Sequence, residues 1–290
     1  MKIVVKLSGG IGNQLFQYVF AAGLAKKFNA SFSVDVSSFE NYSYHHDFEL
    51  KKLIPELDIS NPELTREKKG TYFLHENMLN SIEDINALPT ECEILVVSGY
   101  WQNENYIDKS VVEEMYKLMK IRYENLINTR GDRDTRGMLA IHIRRRDYRH
   151  MGLCSEEYYI ACAMKILEIN PDMEVALFSD EPNYSKYFLT KYLGNRVQII
   201  KTNDDIFDLY LMSKCESAII SNSTYSWWGA YLNEINKKII FCPKEWILVD
   251  VGLKPCPDRW LKIESALLSN NLNLKLLDNL KADVEIQLLK

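Results

Sequence analysis

The sequence predicts an α/β protein of two lobes, each a parallel sheet covered by helices. Three observations carry this. The C-terminal half alternates short apolar runs with segments of helical apolar spacing, the pattern of a parallel sheet buried on both faces. The N-terminus opens as strand, glycine-containing loop, helix and strand. Between the halves, Thr129-Arg130-Gly131-Asp132-Arg133-Asp134-Thr135-Arg136-Gly137 is polar and poor in apolar residues, which marks a linker. The chain has 290 residues, enough for two domains of ordinary size. The boundaries that follow are 1–130 for an N-terminal lobe, 138–262 for a C-terminal lobe and 263–290 for an amphipathic tail. Two such lobes place a cleft between them, where small-molecule sites are common.

In order along the chain, Ile3–Leu7 reads as a buried strand and Ser8–Gln14 as a loop. Asn13–Phe28 has helical spacing, and Ser31–Val36 is a second strand. From Ser37 to about Pro89 the chain is rich in Tyr, His, Asp and Glu and shows no clean period. Ile94–Val97 is a strand leading into Ser98-Gly99-Tyr100-Trp101-Gln102, and Val111–Leu126 is helical. In the second half, strands are expected at Leu139–Ile143, Val175–Ser179, Val197–Ile200, Ala218–Ile220 and Lys238–Phe241. Helices are expected at Glu156–Glu168, Asn183–Tyr192, Ile206–Lys214 and Ser226–Glu234. Ser265–Lys290 is leucine-rich and amphipathic; it packs on the body or, as a second reading, touches a membrane surface.

Composition narrows the function classes. The apolar fraction is 47%, the charged fraction 26% and the net charge -5. These values are ordinary for a globular protein and exclude the general basic surface that nucleic-acid binding needs. There is no apolar run of about 18 residues or more, so no transmembrane span is expected. Met1–Val5, soon broken by Lys6, is too short for a signal peptide. Cys92, Cys154, Cys162, Cys215, Cys242 and Cys256 form no C-x-x-C pair. Structural zinc and a disulfide framework are not expected; reduced thiols in the cytoplasm fit best.

The most informative segment is His142-Ile143-Arg144-Arg145-Arg146-Asp147-Tyr148, directly after the apolar Met138–Ile141. Crowding that much positive charge at a strand end is costly unless an anion arrives. A guanidinium is a planar, permanently charged fork that matches phosphate oxygens, and ligands of open α/β sheets bind outside the carboxyl ends of strands. The run reads as a diphosphate clamp; the plain alternative is a solvated basic turn. Ser221-Asn222-Ser223-Thr224, between a strand and a helix, offers a second anion site through helix-end N–H groups, or simply an N-cap.

The loop with Gly10 and Gly12 lets backbone approach a ligand closely. It lacks the third glycine of the dinucleotide fingerprint, although Asp35 sits at roughly the ribose-binding distance. Asn13 can orient a substrate through its amide. Tyr100, Trp101 and Gln102 are candidates for an acceptor platform, or for a packed strand cap. Trp227 and Trp228 read as core. His46, beside His45, belongs to a surface loop on the acceptor side and not to a metal tract. Asp132-Arg133-Asp134 reads as a solvated charge run, and no metal is expected.

The arginine run resembles the H-x-R-R-x-D-Y motif of the α-1,2-fucosyltransferases, family 11 of the glycosyltransferases. Gly10-Ile11-Gly12-Asn13-Gln14 with Phe16 and Tyr18 is similar to the family's N-terminal motif, and Ser221–Leu232 to its C-terminal one, particularly in bacterial members. The resemblance runs from residue 1 to about 262 and implies a GT-B-like fold of two Rossmann-like lobes. It implies GDP-β-L-fucose as donor, held mainly by the C-terminal lobe, and a galactose-terminated oligosaccharide or O-antigen glycan as acceptor, joined α-1,2 with inversion. It implies Arg144, with Arg145 beside it, on the β-phosphate; His142 against the nucleotide; Asp208 facing guanine; Ser223 and Thr224 holding phosphate; and Asp180 as a strand-end acid. Ser221, Asn222, Gly10 and Gly12 complete the expected donor site.

The expected chemistry is loss of GDP from fucose C1, the diphosphate being stabilised by arginines and helix-end donors without a metal. Asp147 is either the base for the acceptor hydroxyl or the arginines' structural partner. The residues leave two alternatives open: a dinucleotide-dependent oxidoreductase using the Gly10 loop and Asp35, and a non-catalytic nucleotide-sugar-binding module. No nucleic acid partner is expected. A lipid-linked acceptor would place a peripheral protein at the inner face of the cytoplasmic membrane.

Overall fold

A computed structural model describes residues 1–40, 47–66, 69–130, 134–150, 152–232, 239–247 and 255–265. The tail 266–290 and His46 lie outside them. Contacts divide the chain into two compact units, Met1–Met119 and Lys120–Lys290. The division falls inside one helix, earlier than the polar segment at 129–137.

In the first unit, β1 (Lys2–Lys6), β2 (Ser31–Asp35), β3 (Thr71–His75) and β4 (Ile94–Ser98) form a parallel sheet in the order β2-β1-β4-β3. Helix α1 (Ile11–Phe28) buries Ile11, Leu15, Phe16, Val19, Phe20 and Leu24, the spacing of one helical face. It ends at Asn29 in the left-handed conformation, whose N–H returns to Ala25 and Lys26. A one-turn α2 (Leu50–Leu53) follows β2, and α3 (Lys109–Arg130) follows β4. Strand β3 lies in the stretch that showed no period. It is an edge strand with only Leu74 buried.

The second unit holds β5 (Leu139–Ile143), β6 (Val175–Ser179), β7 (Val197–Ile199), β8 (Ser217–Ile219), β9 (Ile240–Pro243) and β10 (Leu261–Ile263). All pair in parallel, in the order β10-β9-β8-β5-β6-β7. Its helices are α4 (Glu156–Ile169), α5 (Pro182–Leu193), α6 (Asp205–Lys214) and α7 (Thr224–Tyr231). β5 is buried along its whole length, as a central strand covered on both faces must be. Leu139, Ile141 and Ile143 pack with Tyr158, Ile166, Leu177, Phe188 and Leu189 from β6, α4 and α5. α6 and α7 pack against each other, and a Cβ on Gly229 would run into the Met212 side chain, so only glycine allows that approach. Trp227 and Trp228 are fully buried in α7. Among the described residues no helix is long and apolar enough to cross a membrane. All six cysteines are free, and five are buried.

Candidate active site

The topology of the second unit selects one place on its sheet. From β5 the chain moves to β6 and β7 on one side, then returns to β8 on the other. Read from β5, this is the strand order 3-2-1-4-5-6 of nucleotide-binding sheets, whose ligands sit where the direction reverses. The arginine run leaves the carboxyl end of β5, and Ser221-Asn222-Ser223 leaves that of β8. The two segments touch: His142 Nδ1 lies 2.8 Å from Ser221 Oγ, both buried.

The arginine loop is held by carboxylates. Asp180, just past β6, accepts from the backbone N–H of Arg145 at 3.0 Å and of Arg146 at 3.0 Å, and lies 3.4 Å from Arg144 Nε. It was expected to meet the donor; its side chain is instead occupied in fixing the loop. Arg144 also pairs with Asp147, Nε to Oδ1 at 2.8 Å and Nη2 to Oδ2 at 2.9 Å. Its side chain keeps 30% exposure. Arg145 is turned aside. Its Nε donates to Glu181 at 3.2 Å, its guanidinium covers the Tyr184 ring at 4.4 Å, and the Tyr184 hydroxyl donates to Glu156. Arg144 is therefore the better-placed fork for an anion, and Asp147 occupies that fork here.

His142 is pushed down to about 3 by burial, with Arg144 adding to the fall, so the ring is neutral. Ser223 caps α7 without a side-chain hydrogen bond to that helix; its hydroxyl meets that of Tyr148 instead. Thr224 opens the helix. Asn222 departs from expectation. Its Nδ2 donates to Gly152 O at 2.9 Å and Trp246 O at 3.0 Å, and its Oδ1 accepts from Cys154 Sγ. With those bonds made it is a buried strut that ties the loop to Gly152, Cys154 and Trp246. Ser221 likewise faces His142 and Ser226. On α6, Asp208 accepts from Thr202 N at 2.8 Å, and burial pushes its carboxyl up to about 6.

The first unit has its own reversal point, between β1 and β4. The Gly9-Gly10 loop leaves β1, and Gly99–Gln102 leaves β4. They are joined by Gln102 Nε2 donating to Asn13 Oδ1 at 3.0 Å. Two buried amides hold the loops. Gln14 donates to Gly9 O at 2.8 Å and to Asp47 O at 2.9 Å, while Gln17 accepts from Ser8 N and donates to Gly99 O. Gly10 and Gly12 sit at the start of α1.

Tyr100 is 46% exposed, but Trp101 is fully buried and stacks on Phe20 at 3.8 Å between centroids. Of the two readings of this segment, Trp101 takes the packed cap, and Tyr100 is the ring that remains on the surface. Asp35 is buried, with Oδ1 taken by Ser37 N and Oδ2 by the Thr65 hydroxyl. The dinucleotide reading loses its ribose contact there.

The family model described as Glycosyl transferase family 11 matches residues 3–249. The chain belongs to glycosyl transferase family 11. An Escherichia coli α-1,2-colitosyltransferase is 28% identical, aligned over 90% of this chain and 99% of its own length. The O-antigen biosynthesis glycosyltransferase WbnK of Escherichia coli is also 28% identical, over 89% of this chain and 99% of its own. Among solved structures, the fucosyltransferase NodZ from Bradyrhizobium covers 80% of this chain and 93% of its own with a TM-score of 0.50 and 10% identity, a likeness of fold. The α/β, GT-B-like class expected from the sequence is the class observed.

As a family 11 chain, the protein carries site features that sequence reasoning passed over. Tyr148 is inside the quoted motif, yet its link to Ser223 depends on the β5–β8 pairing. Tyr225, whose ring lies 5.4 Å from that of His142, read only as part of the polar stretch before the helix. Glu181 follows Asp180 directly and Tyr184 stands four residues on, in the first turn of α5; their signal was an acid and an aromatic close after a strand-end carboxylate.

Proposed function

We propose that this family 11 glycosyltransferase is a galactoside α-1,2-fucosyltransferase that moves L-fucose from GDP-β-L-fucose to the 2-OH of a terminal galactose with inversion and without a metal. The observation that carries this is Arg144 at the β5–β8 reversal point, beside neutral His142 and the start of α7. As the C1–O bond breaks, negative charge gathers on the β-phosphate. Arg144 exchanges Asp147 for phosphate oxygens, and the N-terminal end of α7 adds its dipole. Asp208, with a desolvated carboxylate, accepts from guanine N–H groups. On the acceptor side, Tyr100, Gln102 and Asn13 hold the galactose.

The relative named as a colitosyltransferase supports a second donor. Colitose is the 3-deoxy form of L-fucose, so GDP-colitose differs from GDP-fucose by one hydroxyl. The naming of the O-antigen relative supports a glycan acceptor on a lipid carrier, met by a peripheral protein at the cytoplasmic membrane face.

The test is GDP release in excess EDTA from each donor with galactose-terminated acceptors, the product linkage being read by NMR. Acceptor-dependent release from GDP-fucose giving Fuc-α-1,2-Gal is the expected result. Turnover of GDP-colitose alone moves the donor assignment. GDP binding without turnover of either donor on lactose, type 1 and type 2 acceptors makes the chain a binding module or directs it to another glycan. Activity lost in EDTA and restored by a divalent cation overturns metal independence.

A further inference from the structure

We infer that Glu76, with the exposed ring of Tyr100, forms a second acceptor subsite, which takes a neutral pyranose next to the terminal galactose. The inference rests on the acceptor site proposed above, with Tyr100 shared between the two sugars. The sheet order β2-β1-β4-β3 puts the start of α1, with Asn13, beyond β1, Gln102 beyond β4 and Glu76 directly beyond β3, the edge strand. A glycan whose last sugar lies between β1 and β4 leaves over β3 without meeting a further strand of this sheet. Two residues of chain span at most about 7 Å, so Tyr100 stands within about one sugar unit of Gln102.

The β4 loop is built to present these two side chains. Trp101 has φ of +56°, a conformation that a bulky residue holds only where its surroundings over-determine it. Stacking on Phe20 and an edge contact with Tyr106 fix it there. With the chain so bent, Tyr100 keeps 46% exposure while Gln102 meets Asn13 at 3.0 Å. Glu76 is pinned beside Tyr100. Its Oε2 accepts from Tyr100 N at 2.8 Å, and a Cβ on Gly99 would lie 2.6 Å from its own Cβ. His75 and Ser98, paired in register, join the two strand ends through their side chains. Glu76 Oε1 has no hydrogen-bond partner among the described residues. A pyranose has a face of C–H groups and a rim of hydroxyls. The exposed ring suits the face, and a held carboxylate oxygen accepts from the rim in a charge-assisted bond. The same charge repels an acidic sugar, so the second sugar is neutral.

The experiment compares methyl β-galactoside, which has no second sugar, with lactose and the type 1 and type 2 disaccharides. Wild-type KM is expected to be about 10-fold lower for at least one disaccharide than for methyl β-galactoside. Glu76→Gln keeps the shape of the side chain and its bond to Tyr100 N but loses the charge. It should raise the disaccharide KM by about 5-fold and leave kcat and the methyl β-galactoside KM in place. Saturation-transfer NMR on the GDP complex reads the contact without turnover. Protons of the second sugar should receive saturation in the wild type, and less, relative to galactose, in Glu76→Gln. Saturation confined to galactose overturns the inference, as does a KM that is no lower for any of the disaccharides. So does a Glu76→Gln protein whose KM rises equally with and without the second sugar, or not at all. Saturation of both sugars without turnover of either donor keeps the subsite and removes the transferase reading, so the two failures are distinct.

Discussion

The guanidinium of Arg144 and the carboxylate of Asp147, three residues on, meet edge to edge through two parallel contacts of 2.8 and 2.9 Å. That is the geometry a phosphate would use on the same fork. The Asp147 side chain is 47% exposed, so it leaves the fork cheaply. Asp147→Asn removes the competing charge. The expected result is GDP binding tightened by about 3- to 10-fold, equal to roughly 1 kcal/mol, measured by calorimetry. If Asp147 serves instead as the acceptor's base, the variant binds GDP as wild type does and loses turnover.

Adjacent arginines should fail in different ways. Arg144→Ala leaves the leaving-group charge uncompensated and is expected to lower kcat on the order of 10²-fold or more, with little change in melting temperature. Arg144→Lys is also impaired, since it lacks the fork. Arg145 is spent on Glu181 and Tyr184. Arg145→Ala should lower the melting temperature while kcat falls less than about 10-fold. Equal catalytic losses with unaltered melting would put both arginines on the phosphate.

Asp208 makes stability depend on pH in an unusual direction. Burial raises its carboxyl to about 6, against the hydrogen bonds from Thr202 and helped by Asp205 and Asp204. Its unfolded value is about 3.9. Between those values the folded protein binds more protons than the unfolded one, so this group's contribution falls as pH rises from about 4 to about 6 and then levels off. The loss is roughly 2–3 kcal/mol. Asp208→Asn should therefore raise the melting temperature at pH 8, on the order of 5 °C, and leave it unchanged near pH 4. The same variant should weaken GDP more than inorganic pyrophosphate. No gain at pH 8 would mean that the carboxylate ionises there without cost.

Gly9 has φ of +74°, and a Cβ on it would lie 2.6 Å from Asn13 Nδ2. Gly9→Ala combines backbone strain of about 1–2 kcal/mol with displacement of Asn13 from Gln102. The expected outcome is a lower melting temperature and a raised acceptor KM, with donor affinity unchanged. A variant matching wild type in acceptor kinetics would separate Asn13 from the acceptor side.

Where a strand was continuous and buried, and its end charged, the sequence displayed both fold and site. β5 and β8 read clearly because every residue except His142 is apolar or small and the turn that follows is abruptly polar. β3 and β10 did not, because edge strands are half-buried and leave no continuous apolar run. Three candidate site residues have partners distant in sequence that the chain alone does not display. Asp180 spends its carboxylate on N–H groups 34 and 35 residues back. Asn222 spends its amide on Gly152 and Trp246. Trp101 buries its ring on Phe20. Asn13 and Gln14 stood out as surplus amides; pairing with Gln102 and Asp47 gives them work that only the folded loop reveals.

The two strand-end loops are fastened by different kinds of bond. Gln14 and Gln17 tie the first unit's loop through uncharged amides, while Asp147, Asp180 and Glu181 tie the second unit's loop through full charges. Mobile ions screen charges over about 8 Å at physiological ionic strength and leave neutral hydrogen bonds almost untouched. Ionic strength is therefore a selective handle on this molecule: added salt loosens the arginine loop and competes for its anion site, while the glycine loop keeps its shape.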